Sequence, residues 1–83
     1  MKANGKVTSA ELRLAAAIRK RALPGGSAPL AAVAELLGQP VQQTARTAES
    51  GMRHGITVIY TYMGERRLAL SDQGWDITER SKR

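Results

Sequence analysis

Between Pro40 and Gly55 the chain carries Gln42, Gln43, Arg46, Thr47, Ser50 and Arg53, with Glu49 the single acid among them. These side chains offer hydrogen bonds in pairs and forks. An amide bonds adenine at N6 and N7, a guanidinium bonds guanine at O6 and N7, and a hydroxyl reaches either a base or a phosphate. A merely solvated helix face favours Glu and Lys, so this composition points to reading of base edges. Arg66 and Arg67 lie beside Gly64, where a hairpin tip would meet a phosphate backbone or enter a minor groove. Neighbouring strand residues alternate faces, so both arginines can reach one partner only if one of them lies within the turn. A charged tip also protects an edge strand from aggregation. Lys2, Lys6, Arg80, Lys82 and Arg83 would add charge without sequence preference if the termini approach the same partner.

Other chemistry is less well served. His54 has no second His, no Cys and no carboxylate spaced with it as metal ligands, so capping a helix C-terminus is its expected role and no metal is expected. Glu49 and Arg53 are four apart and suit a local ion pair. Trp75 is expected to pack over the hairpin and the first helix as the largest core side chain. Tyr60 and Tyr62 could stack on single-stranded bases, but covering the core with their hydroxyls at the rim is the expectation. There is no phosphate-cradling glycine motif, because Gly25 and Gly26 follow a helix and terminate it. No Ser-His-acid set is suggested, and a chain this short leaves little room for a deep pocket. We expect no enzyme activity, no cofactor and no small-molecule ligand.

These residues need elements to hold them. Thr8-Ser9-Ala10-Glu11 reads as a capping box, opening a helix to about Leu23 with Leu14, Ala15, Ile18 and Ala22 inward and Arg13, Arg19, Lys20 and Arg21 outward. Pro24-Gly25-Gly26 stops it. Ser27 is the expected N-cap of a second helix with Pro29 in its first turn. Leu30, Val33, Ala34 and Leu37 form its single apolar face, and Gly38 ends it in the left-handed conformation. Pro40 opens a third helix, with Val41, Ala45, Ala48 and Met52 as the buried stripe and Gly55 at its close. From Ile56 the period becomes two. Ile56, Val58, Tyr60 and Tyr62 fall on one strand face, opposite Thr57, Ile59, Thr61 and Met63. Gly64-Glu65-Arg66 makes a turn, and Arg67 to Leu70 return with Leu68 and Leu70 inward. Ser71 or Asp72 caps a short last helix holding Trp75 and Ile77.

Composition sets the outer bounds. Eighty-three residues with 42% hydrophobic content suit one small domain, which buries only about 60–65% of its unfolded surface. With no Phe, aliphatic side chains must do the packing. Thirteen Lys and Arg against seven Asp and Glu give a charge of +6, which favours an anionic partner, nucleic acid above all. There is no cysteine, hence no disulfide framework and no thiolate metal site. No apolar run approaches a membrane span and no signal-peptide core is visible, so a cytoplasmic protein without a membrane partner is expected. The domain is expected over residues 8–79, between a flexible segment 1–7 and a basic tail 80–83.

The order is therefore helix, helix, tight turn, helix, β-hairpin and short helix. In Val33-Ala34-Glu35-Leu36-Leu37-Gly38-Gln39-Pro40-Val41 the chain resembles the second helix and turn of the winged helix-turn-helix superfamily of bacterial and phage DNA-binding regulators. Arg66-Arg67-Leu68-Ala69-Leu70-Ser71-Asp72-Gln73-Gly74-Trp75 resembles that family's returning wing strand, which runs into a Leu-Thr-x-x-Gly stretch, with Ser71 in place of the usual Thr. The resemblance spans about residues 10–78. It implies an α+β, mostly helical fold, with three helices, a β-hairpin wing and a short C-terminal helix. It further implies a sequence-specific double-stranded DNA-binding protein, a transcriptional regulator. Gln42, Gln43, Arg46, Thr47, Ser50 and Arg53 would lie on its recognition helix, and Arg66 and Arg67 on its wing. Such regulators usually dimerise, here through the first helix, an edge strand or the C-terminal segment, and the oligomeric state stays open. The alternative is a winged-helix protein-interaction module, or a small phage-type inhibitor, that binds an acidic protein partner.

Overall fold

The first helix begins where its capping signal places it. In the computed structural model, which describes residues 7–22 and 26–81, the Thr8 hydroxyl accepts from the Glu11 N–H at 3.1 Å. The Glu11 carboxylate in turn accepts from the Thr8 N–H at 3.4 Å, completing a capping box. Helix α1 runs over Ser9–Arg21, shorter than expected, with Leu14, Ala15, Ala17 and Ile18 buried. Ala22, also buried, is already extended. The expected stop at Pro24 and Gly25, and the expected flexible segment up to Lys6, lie outside the described residues.

A short strand precedes the second helix, contrary to expectation. Strand β1, Ala28–Pro29, pairs antiparallel with a later strand through Ala28↔Leu68 and Pro29↔Arg67. Ser27 therefore does not cap, and Pro29 is not in a first helical turn. Pro29 is itself the N-cap, in extended conformation and without a side-chain cap bond. Proline is tolerated because β1 is an edge strand, where a missing donor can face away from the ladder.

Helix α2, Leu30–Leu37, buries Leu30, Val33 and Ala34 as the period predicts. It ends in a Schellman motif. Gly38 is left-handed at φ +68°, its N–H donates to the Glu35 carbonyl at 3.1 Å, and the Gln39 N–H donates to the Ala34 carbonyl at 3.0 Å. Pro40 then caps helix α3, Val41–Arg53. The buried side of α3 is Thr44, Ala45, Ala48 and Gly51, whereas Val41 and Met52 are 45% and 46% exposed. At about 100° per residue, the buried centre is turned by about 40° from the expected stripe. Close packing rather than hydrophobicity selects the buried side. The Thr57 hydroxyl donates to the Ala48 carbonyl at 2.7 Å, and only the small residues of α3 allow that approach.

Strands β2, Thr57–Tyr62, and β3, Glu65–Leu70, form the hairpin, and the sheet order is β1-β3-β2. Tyr62↔Glu65 is the last pair, so the turn is Met63-Gly64, not Gly64-Glu65-Arg66. Both turn residues have positive φ, 52° and 78°, the mark of a type I′ turn matched to strand twist. The core face of the sheet carries Thr57, Ile59, Leu68 and Leu70. Tyr60 and Tyr62 do not cover the core but lie exposed on the outer face with Val58. Ile56 is buried ahead of the strand, and the alternation starts at Thr57. A period of two means that one residue of offset exchanges the faces.

Helix α4, Asp72–Ser81, is capped by Ser71, whose hydroxyl accepts from the Gly74 N–H at 3.0 Å. The helix continues through Arg80, beyond the expected domain edge. A Cβ on Gly74 would stand 2.1 Å from the Ile56 carbonyl oxygen, which explains the glycine at this position. Trp75 packs against the core half-buried. Arg19, expected to point outward, instead lies with its guanidinium carbon 5.2 Å from the Trp75 ring centre. It also donates to Thr78 at 3.0 Å and pairs with Glu79. No helix among the described residues is long and apolar enough to cross a membrane. Three helices, a hairpin wing and a closing helix make a winged helix-turn-helix.

Candidate nucleic-acid interface

Helix α3 follows the Gly38 turn and carries two polar rows beyond its buried face. Gln42, Arg46, Glu49 and Arg53 lie opposite the core and are exposed. None of them, nor exposed Gln43, makes a side-chain hydrogen bond or ion pair among the described residues. The expected Glu49–Arg53 ion pair is therefore absent there. Ion pairing at this spacing is worth only a few tenths of a kcal/mol, too little to hold two long side chains.

The second row, Gln43, Thr47, Ser50 and His54, is partly occupied. Thr47 donates to the Gln43 carbonyl at 3.1 Å. Ser50 donates to the Glu11 carboxylate of α1, and His54 Nδ1 lies 2.7 Å from Glu11 Oε1. His54 occupies the C-cap position of α3, as expected, but its ring also has a carboxylate partner that sequence spacing did not suggest. The expected site thus divides. Gln42, Gln43, Arg46 and Arg53 are free for a ligand, while Thr47 and Ser50 bond within the chain.

Glu11 is the site residue that sequence reasoning missed. It is 1% exposed and accepts from Ser50, His54 and the Thr8 N–H. Burial pushes its carboxyl upward, but the hydrogen bonds from Ser50, His54 and Thr8, with the charge on His54, outweigh that and hold it below the ordinary range. The capping box announces its backbone role and nothing local announces the rest. The only available signal was Ser50 and His54 at i and i+4, two donors aligned on one flank. No group of three or more metal-ligating side chains occurs among the described residues.

On the wing, Arg66 and Arg67 are both within β3 and on opposite faces. Arg66 is exposed, opposite Thr61, and makes no side-chain bond among the described residues. Arg67 is occupied. Its Nε donates to the Ser27 hydroxyl at 2.7 Å, one terminal nitrogen to the Ser27 carbonyl at 3.0 Å, and the other to Glu65 at 2.6 Å. The Tyr60 hydroxyl donates to the same Ser27 oxygen at 2.6 Å. Met63, 86% exposed, forms the tip. Elsewhere, an open groove of about 770 Å³ runs along α1 beside α4, lined by Leu12, Arg13, Ala16, Lys20 and Thr78 among others.

No family model and no curated protein matches the sequence. Among the solved structures that resemble it are these two. One is BpsR of Bordetella bronchiseptica, whose DNA binding is regulated by 6-hydroxynicotinic acid. It superposes with a TM-score of 0.76 at 14% identity, over 89% of this chain and 52% of that one. The other is a protein of Ralstonia eutropha JMP134 whose proposed role is DNA binding, with a TM-score of 0.74 at 15% identity, over 92% of this chain and 98% of that one. This chain thus spans about half of the Bordetella regulator and matches the Ralstonia protein nearly end to end. By fold the chain is a winged helix-turn-helix.

Proposed function

We propose that the chain binds double-stranded DNA in a sequence-specific way, as a transcriptional regulator of bacterial or phage type. One observation carries this reading. The exposed face of α3, directly after the Gly38 turn, presents Gln42, Gln43, Arg46 and Arg53 with their side-chain polar groups uncommitted among the described residues. A helix fits the major groove, and its N-terminal residues reach base edges. Gln42, Gln43 and Arg46 occupy that half and would read bases, with Thr47 beside them. Arg53, near the other end, would meet phosphate. Arg66 would fix the wing to the backbone, while Arg67 shapes the wing from its outer face through Ser27.

A charge of +6 and the DNA-binding descriptions of both structural neighbours support the same partner. A single module buries only about 600–1,000 Å² on a duplex, so two copies on a two-fold site would supply the missing affinity. Selection of binding sites from random duplex at near-physiological salt tests the proposal. An enriched motif is expected, palindromic if the chain dimerises. Retention only at low salt, with no motif, would overturn it and direct attention to an acidic protein partner.

A further inference from the structure

We infer that Glu11 is a positioning residue for α3, and that by holding Ser50 and His54 it decides which side chains of that helix a duplex meets. The inference rests on the DNA-binding reading and adds a determinant of specificity outside the contact surface. Gln43, Thr47, Ser50 and His54 follow one another at i, i+4, i+7 and i+11, so they share one flank of α3. Left to itself, that flank would offer four hydrogen-bonding side chains along the whole helix. Glu11 takes the last two. Its Oε2 accepts from Ser50 and its Oε1 lies 2.7 Å from His54 Nδ1. Polar reading on this flank is thereby confined to Gln43 and Thr47, in the half of a recognition helix that faces the bases. The Thr47 hydroxyl donates to the Gln43 carbonyl but can still accept.

The hold is stiff for two reasons. Glu11 is 1% exposed, so water cannot replace a lost partner, and an unpaired buried carboxylate is costly. The same carboxylate also accepts the Thr8 N–H in the capping box, so the start of α1 and the end of α3 are fastened at one point. Two attachments on α3, one turn apart, add to the Thr57–Ala48 contact in restraining the roll of the helix about its axis. Roll sets where Gln42 and Arg46 point, so a group that never touches DNA governs the register of those that do.

The experiment compares wild type, Glu11→Gln, Ser50→Ala and the double variant. Motif selection and affinities for the selected and a scrambled duplex are measured well below each melting temperature. Glu11→Gln is expected to lose about tenfold in the ratio of specific to scrambled affinity, the size of one good base contact, and to broaden the motif. Ser50→Ala should move the same base positions, and the double variant should add little to either. In the free protein, the His54 ring-nitrogen chemical shifts should change in Glu11→Gln. A lower melting temperature with an unchanged motif and ratio would reduce Glu11 to a folding role. Ser50→Ala, the milder change, decides the matter if Glu11→Gln does not fold. Additive effects, with Ser50→Ala altering a single base preference, would make Ser50 a direct reader and overturn the inference. If wild type itself selects no motif, the DNA-binding reading falls and this inference falls with it. The ring shifts would then report only whether the three side chains are bonded.

Discussion

Gly51 faces Thr57 so closely that a Cβ on the glycine would stand 2.8 Å from the Thr57 hydroxyl oxygen. That oxygen is already committed to the Ala48 carbonyl at 2.7 Å. A glycine inside a helix normally costs about 1 kcal/mol relative to alanine. Gly51→Ala should nevertheless destabilise the protein, by about 1–3 kcal/mol, because Thr57 and Ile56 are buried around the new methyl. Urea unfolding of the two proteins measures it, and a stabilised variant would show that α3 can lift off β2 without loss.

The turn invites the opposite change. Met63 holds φ 52°, a conformation that costs a non-glycine side chain about 1 kcal/mol and suits Asn. Its side chain is 86% exposed, so little packing is lost on substitution. Met63→Asn should raise stability by about 0.5–1 kcal/mol, seen as a higher denaturant midpoint. No gain would mean that Met63 packs in solution more than its exposure indicates.

The three arginines should fail differently. Arg46→Ala should cost about 1–3 kcal/mol on the selected duplex and relax one base position. Equal weakening on every sequence would make Arg46 a phosphate contact. Arg66→Ala should weaken all duplexes alike and reduce the salt slope by about one. Arg67→Ala should chiefly lower stability, by about 1 kcal/mol for its lost bonds to Ser27. Salt titrations alongside thermal melts separate the three.

Acid should act through Glu11. Its carboxyl lies below the ordinary range in the folded protein, so the unfolded chain takes up the proton first as pH falls. The stability Glu11 contributes is therefore complete at neutral pH, begins to be lost below about pH 4.3, and vanishes once pH passes the folded value. Glu11→Gln should be less stable than wild type near pH 7, with the gap narrowing toward pH 3. A gap independent of pH would mean that the carboxylate charge contributes nothing.

Features made by neighbours in the chain were legible in the sequence. The Thr8–Glu11 capping box, the Leu30, Val33 and Ala34 face, the Gly38 turn, the hairpin and the Ser71 cap each depend on residues a few positions apart. Local hydrogen bonding and periodicity therefore specify them. The order of these elements was enough to indicate a winged helix. What escaped depends on contacts across the chain. Strand β1 is two residues long, and only pairing with Leu68 and Arg67 makes it a strand. The outward turn of Tyr60 and Tyr62 follows from Thr57 docking on Ala48, not from hydrophobicity. Arg67 was engaged by Ser27, 40 residues earlier. Ser50 and His54 were claimed by a glutamate 39 and 43 residues upstream. Periodicity says which faces of an element are polar or apolar, but a polar side chain's partner is chosen by whichever group tertiary packing brings within about 3 Å.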